Sequence, residues 1–443
     1  MRLLIVDPTG NALDFAMRSQ RDGHEVKMFI FQNEKTKNIG RGLVEIVDDF
    51  KTWFRWADIV FASDNTKYLR DFASLSKDHA IPLISPNEES AAWELDRKVG
   101  QDVFKKHHIP TIPSKEFSDY DSAIAHVKKH DTRFVSKPWG GSDDKALSYV
   151  SQSPADMIYM LERWKKLGKL KSAFLLQEFV PGVEMAVGGW FGPGGFNEGW
   201  CENFEFKKLM NDDLGPATGE QGTVLRNVKT SKLARKVLAP LENALAKLNY
   251  VGYVDVNTII DDKGNPWPLE FTMRPGWPTF CIQEPLRTGD SVEWLMNLAK
   301  GLDSRNLIYD RIAVGVVLSI PDYPYSHLTR KEVVGVPIYG LTESLWKSWH
   351  PCEMKMGDDV PNQVAGSHIK MPMPVTAGDY VGVMTATGNT VKDAALSCYR
   401  RLEKLIVPNS KMWRSDIGKR LAKQLPQIQK YGYATGIVYS PTS

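Results

Sequence analysis

The stretch Val251–Trp277, V-G-Y-V-D-V-N-T-I-I-D-D-K-G-N-P-W-P-L-E-F-T-M-R-P-G-W, constrains the fold of this chain more than any other. It reads as a β-hairpin. Gly252–Ile260 is rich in β-branched residues, Asp261-Asp262-Lys263-Gly264 supplies the turn, and Trp267–Met273 returns as the second strand. Side chains two apart on a strand share a face. Asp255 and Asn257 therefore point one way on the first strand, and Glu270, Thr272 and Arg274 share a face on the second. If the two faces coincide, carboxylates, a hydroxyl and an arginine converge. Carboxylates without His or Cys suit a hard ion such as Mg²⁺. A solvated polar face of an ordinary hairpin fits the same residues, and the hairpin alone does not choose.

The rest of the chain narrows the choice. Its 443 residues accommodate two to four domains, and a 42% hydrophobic, 25% charged composition is that of a globular protein. The net charge of +3 neither demands nor excludes a phosphate-bearing partner, and there is no strong nucleic-acid signal. The four cysteines, at positions 201, 281, 352 and 398, have no metal-site spacing and read as reduced thiols. Met1–Val6 opens directly into a strand pattern, and no apolar run reaches ~18 residues. A cytoplasmic protein without membrane spans is expected.

Residues 1–95 alternate strands with helices: Leu3–Val6, a helix over about Ala12–Arg21, Val26–Phe31, Ile59–Ala62, a helix over Asn65–Ser76, and Ile81–Pro86. That order implies a parallel sheet, whose ligands bind beyond the strand C-termini. Asp7, Asn11 and Asn65 fall in the loops at that edge. The first loop lacks the G-x-G-x-x-G dinucleotide fingerprint.

Asp96–Phe104 is a charged amphipathic helix. Phe134–Lys137 reads as a strand ending on a lysine, followed by Gly140-Gly141 and then Lys145. A glycine loop between two lysines suits a polyphosphate, although it is not a Walker A loop, and an ordinary surface turn also fits. Ala173–Val180 is a strand, broken by Pro181-Gly182-Val183-Glu184. Gly215-Pro216-Ala217-Thr218-Gly219-Glu220-Gln221-Gly222 is a loop whose backbone can approach a ligand. Ser231–Leu248 has the spacing of one long amphipathic helix. Arg311–Ser319, Tyr380–Ala386 and the helix Val391–Lys404 suggest a third, α+β unit that caps the middle one.

The collinear set of two lysines eight apart, Q-E-F-V-P-G-V-E, G-P-A-T-G-E-Q-G and L-E-F-T-M-R-P-G resembles the ATP-grasp ligases, and among them the phosphoribosylamine–glycine ligase family. The resemblance covers nearly the whole chain and implies a multidomain α/β and α+β protein. An N-terminal parallel-sheet domain (1–95) would precede a central ATP-grasp domain (96–305, nucleotide-binding part about 112–185) and a C-terminal α+β domain (306–430). It implies ATP as co-substrate with Mg²⁺ or Mn²⁺. Lys137, Gly140, Gly141 and Lys145 would meet the phosphates, Gln177, Glu178 and Val180 the adenine, and Glu184 the ribose. Glu270, with Asp255 and Thr272, would hold the metal ion. Lys207, Thr218, Gly219 and Arg274 would lie near the substrate carboxylate and the transferred phosphoryl group, with Lys207, Arg274 and Lys145 catalytic. Asp7, Asn11 and Asn65 complete the expected substrate side.

Three departures stand out. The family usually has Asn where Thr272 stands, Asp255 adds an acid the family lacks, and the N-terminal amine-handling loop is replaced by Asp7–Asp14. The implied reaction joins a small amino acid to an amine through an acyl phosphate. The amine belongs to a phosphorylated small molecule or nucleotide, and the protein is a monomer or homodimer. A different acceptor, an ATP-binding homologue that has lost catalysis, and an interaction scaffold rich in tryptophan are the competing readings.

Overall fold

The computed structural model describes residues 1–138, 148–169, 173–197, 199–302, 305–325, 327–328, 330–364, 366–408 and 411–440. Apolar runs with no polar alternation form strands buried on both faces. β1 (Arg2–Asp7), β2 (Glu25–Ile30), β3 (Glu45–Val47), β4 (Ile59–Ala62) and β5 (Leu83–Ile84) build a parallel sheet in the order β3-β2-β1-β4-β5. Leu3, Leu4 and Ile5 are fully buried in it, and α1 (Leu13–Arg21) lays Phe15 against Phe61 with ring centroids 5.0 Å apart. α2 (Phe50–Phe54) and α3 (Leu69–His79) complete the layer. The helix expected from Asn65 begins only at Leu69. The Asp64 carboxylate instead accepts the Thr66 amide at 2.8 Å, a local turn that competes with helix initiation.

α4 (Glu88–Leu95) and α5 (Arg97–Lys106) lead out of this sheet, separated by Asp96, whose side chain caps α5 through the amides of Lys98 and Val99. A four-stranded sheet follows, built from β6 (Ser114–Phe117), β7 (Phe134–Pro138), β8 (Tyr149–Val150) and β9 (Phe174–Glu178) in the order β6-β9-β7-β8. α6 (Tyr120–His130) and α7 (Pro154–Lys166) cover it, and Phe117, Phe134, Met157, Leu161 and Phe174 give it a core of its own.

The centre of the molecule is a nine-stranded sheet. Its strands are β10 (Gly182–Gly192), β11 (Gly195–Phe196), β12 (Trp200–Lys208), β13 (Ala217–Val228), β14 (Gly252–Asp261), β15 (Pro266–Thr272), β16 (Ile312–Ser319), β17 (Trp349–Pro351) and, beyond a projecting β18–β19 hairpin (Met354–Val364, Ser367–Thr376), β20 (Tyr380–Gly388). The order is β15-β14-β10-β12-β13-β16-β20-β17, with β11 on β10. The expected hairpin is β14–β15, turning at Gly264 (φ 78°), where a Cβ would stand 2.5 Å from the Tyr431 ring. β16 pairs with β13, so the strands read from sequence as a separate cap extend the central sheet. The long helix expected over Ser231–Leu248 is interrupted. Lys232–Val237 and Glu242–Lys247 are helical, with a 3₁₀ turn between them at Pro240, which has no N–H for the helical ladder. The apolar spacing still holds, since Leu233, Val237, Leu241 and Leu245 are all fully buried.

Two charged knots tie distant segments to this sheet. The Asp14 carboxylate on α1 accepts from His350 Nδ1 at 2.8 Å and pairs with Arg18, which also reaches Glu284, while His350 Nε2 meets Thr385 Oγ1 at 2.9 Å. Burial alone would raise the Asp14 pKa, but the Arg18 guanidinium and His350 outweigh it and bring it down to about 2. The second knot holds the loop after β12. Buried Arg414 bonds Asp416, the Lys208 carbonyl and Asp213, and Arg420 pairs with Asp213 and donates to the Glu205 carbonyl.

Asp14→Asn should cost about 3 kcal/mol at pH 7, because it leaves buried Arg18 short of its counter-charge. Since the folded pKa lies below the usual 3.8, this stabilisation is present above that value and lost as pH falls through about 2. Denaturant titrations should therefore show the gap between the two proteins closing in that window. Arg414→Lys keeps the charge but loses the planar fork, so amide exchange over residues 209–219 should speed up roughly tenfold, equivalent to about one hydrogen bond.

Candidate active site

The site grows from strand alternation on one face of the central sheet. Cross-strand register sets Asp255 opposite Thr272 and Asn257 opposite Glu270. The two predicted faces therefore coincide. After Asn257 the register shifts so that Thr258 pairs with Pro268 and Leu269 is the extra residue, while Glu270 stays opposite Asn257. On β12 the same alternation turns Asn203, Glu205 and Lys207 toward this face, while Phe204 and Phe206 are fully buried in the core beneath.

Lys207 is the hub. Its Nζ lies 2.9 Å from Glu184 Oε1, 3.2 Å from Glu205 Oε2 and 3.6 Å from Glu270 Oε1. Burial opposes its charge, but Glu205, Glu184 and Glu270 raise its pKa well above the usual value. Glu270 answers in kind: burial would raise its pKa, yet Lys207, Arg97 and Lys137 hold it below normal. Arg97, in the first turn of α5, places Nη2 3.8 Å from Glu270 Oε2. Lys137, on the small sheet, is near enough for its charge and that of Glu270 to act on each other. Burial and then the Arg97 guanidinium lower its pKa to about 8, with Glu270, Lys207 and Glu184 among the charges acting on it.

Arg97, Glu205, Lys207 and Glu270 line a cleft of about 820 Å³, together with Thr66, Gly219, Thr272, Arg274 and Trp277, among others. At its N-terminal-domain end Glu94 pairs with Arg274 at 3.1 Å and accepts from Asn65 Nδ2 at 2.7 Å and the Met273 amide at 2.6 Å. Asn65 thus bears on the cleft through Glu94. Glu184 sits with Lys207 in the carboxylate cluster rather than apart from it. The Thr218 hydroxyl is used within the protein, donating to the Lys207 carbonyl at 2.8 Å. Gln177 is buried, Glu178 is exposed at the end of β9, and Val180 is half-buried just beyond it.

Two expected ligands are placed differently. Asp255 lies deeper in the sheet, accepting from Asn203 at 3.0 Å and Tyr253 at 3.3 Å, and burial followed by Glu205 pushes its pKa to about 7. Asp7 is turned inward, where its carboxylate accepts the amides of Thr9 and Ala12 and closes the turn into α1, with Asn11 half-buried alongside. Gly140, Gly141 and Lys145 lie outside the described residues. Arg97, Glu94, Glu205 and Glu220 were not singled out from sequence. The period-two run Asn203, Glu205, Lys207 carried the signal for one of them.

Asp14, Cys281 and His350 bring metal-type ligand atoms within 4.8 Å of one another. Asp14 and His350 are already bonded to each other, to Arg18 and to Thr385, and burial followed by Asp14 raises the Cys281 thiol pKa well above normal. That knot is structural. Among the described residues no helix is long and apolar enough to cross a membrane.

Comparison with known proteins agrees with this geometry. Residues 96–279 match the family described as phosphoribosylglycinamide synthetase, ATP-grasp (A) domain. The phosphoribosylamine–glycine ligase of Pseudomonas aeruginosa is 25% identical over 452 residues, covering 95% of this chain and 98% of that one. The enzyme of the same name from Vibrio cholerae is 26% identical over 357 residues, 77% of this chain and 78% of its own. Among solved structures, phosphoribosylamine–glycine ligase from Thermotoga maritima superposes with a TM-score of 0.70 at 20% identity, covering 94% of this chain and all (100%) of that one. A biotin carboxylase from Campylobacter jejuni shares the fold at TM-score 0.62 and 12% identity, over 97% of each chain. Residues 96–279 thus match an ATP-grasp domain, and over most of its length the chain is similar to phosphoribosylamine–glycine ligases, ATP-grasp enzymes that form carbon–nitrogen bonds with release of ADP.

Proposed function

We propose that this chain joins the carboxylate of glycine, or of another small amino acid, to the amine of a phosphorylated small molecule or nucleotide. Phosphoribosylamine, which the relatives' names specify, is the first acceptor to test. One observation carries the reading: Glu270, Arg97 and Lys207 meet in one cleft, 3.6–3.8 Å apart about Glu270, and the charge of Lys137 on the small sheet acts on the same carboxylate. Phosphoryl transfer from ATP needs that combination of fixed cations and a metal-binding carboxylate and little covalent help from the protein.

The donor set fits a hard divalent cation. Glu270, Glu184 and Glu205 offer only carboxylate oxygens and cluster around one point, now held by the Lys207 ammonium. Glu270 would hold the ion, with Thr272 beside it on the strand. When bound, the ion neutralises charge on the phosphates. Lys137 and Arg97 bind and orient the phosphates. Gln177, Glu178 and Val180, at the end of β9, supply the wall for the base, and Glu184 serves the ribose or the cluster. Lys207 and Arg274 orient the substrate carboxylate, helped by the Thr218-Gly219 backbone. Its oxygen attacks the γ-phosphorus, the bond to the β-phosphate oxygen breaks, and ADP leaves. The amine then attacks the acyl carbon, loses a proton, and phosphate departs with the C–O bond.

Asp7 spends its carboxylate on its own turn. Acceptor recognition therefore falls to cleft neighbours such as Thr66 and Trp277.

Glu270→Ala should fold normally and lose about 100-fold or more of its amino-acid- and amine-dependent ADP release, since a fixed electrostatic element of the transition state is gone. Turnover like that of the unmodified protein removes Glu270 from the metal site. An ADP-release screen of small amino acids against phosphoribosylamine and other amines should give signal only with both partners present. Silence across the screen, with MgATP binding intact, sinks the ligase reading.

A further inference from the structure

Register on β13 contains an anomaly that the cleft description does not use. Phe206 pairs with Gly222 and Lys208 with Ala217, so residues 218–221 stand opposite Lys207 alone. This wide bulge breaks alternation and turns Glu220 into the cleft on the side of the polar face. Glu220 is 6% exposed, and among the described residues its Oε1 has no hydrogen-bond partner. The charged and titratable groups around it are Glu205 and Lys207 on β12, Asp255 on β14 and Tyr380 on β20, with the Thr279 hydroxyl close by. Lys207 is shared among three other carboxylates and leaves Glu220 without a close cation, so burial and Glu205 hold its pKa well above normal, and an entering cation restores its charge.

Neighbouring polar atoms are orphaned as well. Asn257 Oδ1, Asn203 Oδ1 and Thr223 Oγ1 are buried without partners, and both amides spend their N–H groups on carboxylates, Asn257 on Glu205 and Asn203 on Asp255. Thr223 sits opposite Glu205 in the sheet. The floor of the cleft beside the phosphate cluster therefore presents three unpaired acceptors, Glu220 Oε1 and the two amide oxygens, with the Thr223 hydroxyl beside them. Unpaired buried acceptors cost about 1–3 kcal/mol each, a cost that a ligand rich in donors removes. A primary ammonium brings three N–H donors and a positive charge; a hydroxyl brings one donor and none.

We propose that Glu220 is a specificity-determining residue that recognises the ammonium group of the amino-acid substrate, with Asn257 completing the subsite. The inference rests on the ligase reading above and deepens it. The ammonium docks on the Glu220 and Asn257 oxygens, and the substrate carboxylate is thereby turned toward Lys207 and the phosphates. A site built to pair buried polar groups with substrate N–H donors rejects an analogue lacking them by orders of magnitude.

The test compares glycine with glycolate, and alanine with lactate, as the carboxylate in ADP-release assays at saturating MgATP and amine. The unmodified enzyme should prefer the amino acid by roughly 10³ or more in kcat/KM. Glu220→Gln, which keeps the shape and removes the charge, should raise KM for the amino acid at least tenfold. It should shrink the amino-acid preference by a similar factor and leave KM for ATP within about twofold. Glu220→Asp should fall between them. An unchanged preference in a folded, active Glu220→Gln enzyme overturns the inference and leaves the ligase reading standing. A raised requirement for Mg²⁺ with unchanged preference reassigns Glu220 to the metal cluster and also overturns it. Calorimetric titration of glycine and alanine into the MgADP-loaded protein decides the matter without turnover. Binding that Glu220→Gln weakens tenfold supports the subsite, and equal binding by both proteins refutes it. No binding of either amino acid to the unmodified protein also refutes it, whereas failure of the ligase reading shows separately, as silence in the ADP-release screen.

Discussion

The Lys207 ammonium, held among Glu184, Glu205 and Glu270, is the interaction on which the site depends. Four strands contribute side chains to one polar face, and the acids among them are crowded. Desolvation and mutual repulsion would drive such acids toward their neutral forms. Asp255 shows what happens where the balancing cation is farther away: burial and Glu205 carry its pKa to about 7. Glu270, with Lys207, Arg97 and Lys137 acting on it, stays readily ionised. One lysine therefore sorts neighbouring carboxylates on the same sheet into those that carry charge at neutral pH and those that resist it. An enzyme that gathers phosphate and metal ion needs that sorting, because only the ionised group attracts the cation.

The two sheets divide this work. The small sheet has its own core, and Lys137 leaves its end as a cation whose pKa is already lowered to about 8 by burial and by Arg97. The large sheet carries the acids. The N-terminal sheet supplies the third wall through Asn65 and Thr66, and Glu94 couples it to Arg274 and the Met273 amide. The cleft itself lies between the large sheet, α4 and α5, and the N-terminal domain's Thr66, with the Lys137 charge acting on Glu270 from the small sheet.

Much of this was legible because strand faces follow a period of two. The hairpin, the coincidence of its faces and the parallel N-terminal sheet all follow from that rule and from unbroken apolar runs. Alternation gives the face of a residue but not its depth on that face. Asp255 shares the parity of Asn257, yet Asn203 and Tyr253 take its carboxylate well inside the sheet. Glu205 obeyed the rule and was passed over beside Lys207. Glu220 could not be found this way, because a bulge reverses its parity and nothing local in G-P-A-T-G-E-Q-G announces which strand positions it skips. Pro240 broke an otherwise sound helical pattern by removing one backbone donor.

The placement of the C-terminal strands shows a deeper reason why sequence runs out. The stretch after about Leu302 reads as the edge of a new unit, whose strands and helix are separated by Pro and Gly turns. Sheet continuity is decided by backbone groups, which every residue carries alike, so β16 can add to β13 without any side-chain signal. The consequence reaches the chemistry. Arg414 and Arg420 lie about two hundred residues downstream of the loop they hold, yet they bond Asp213 and the carbonyls of Lys208 and Glu205. Those are the backbone atoms flanking the hub lysine. The position of Lys207 among its three acids is therefore set twice, by pairing with the neighbouring strands β10 and β13 and by arginines far downstream.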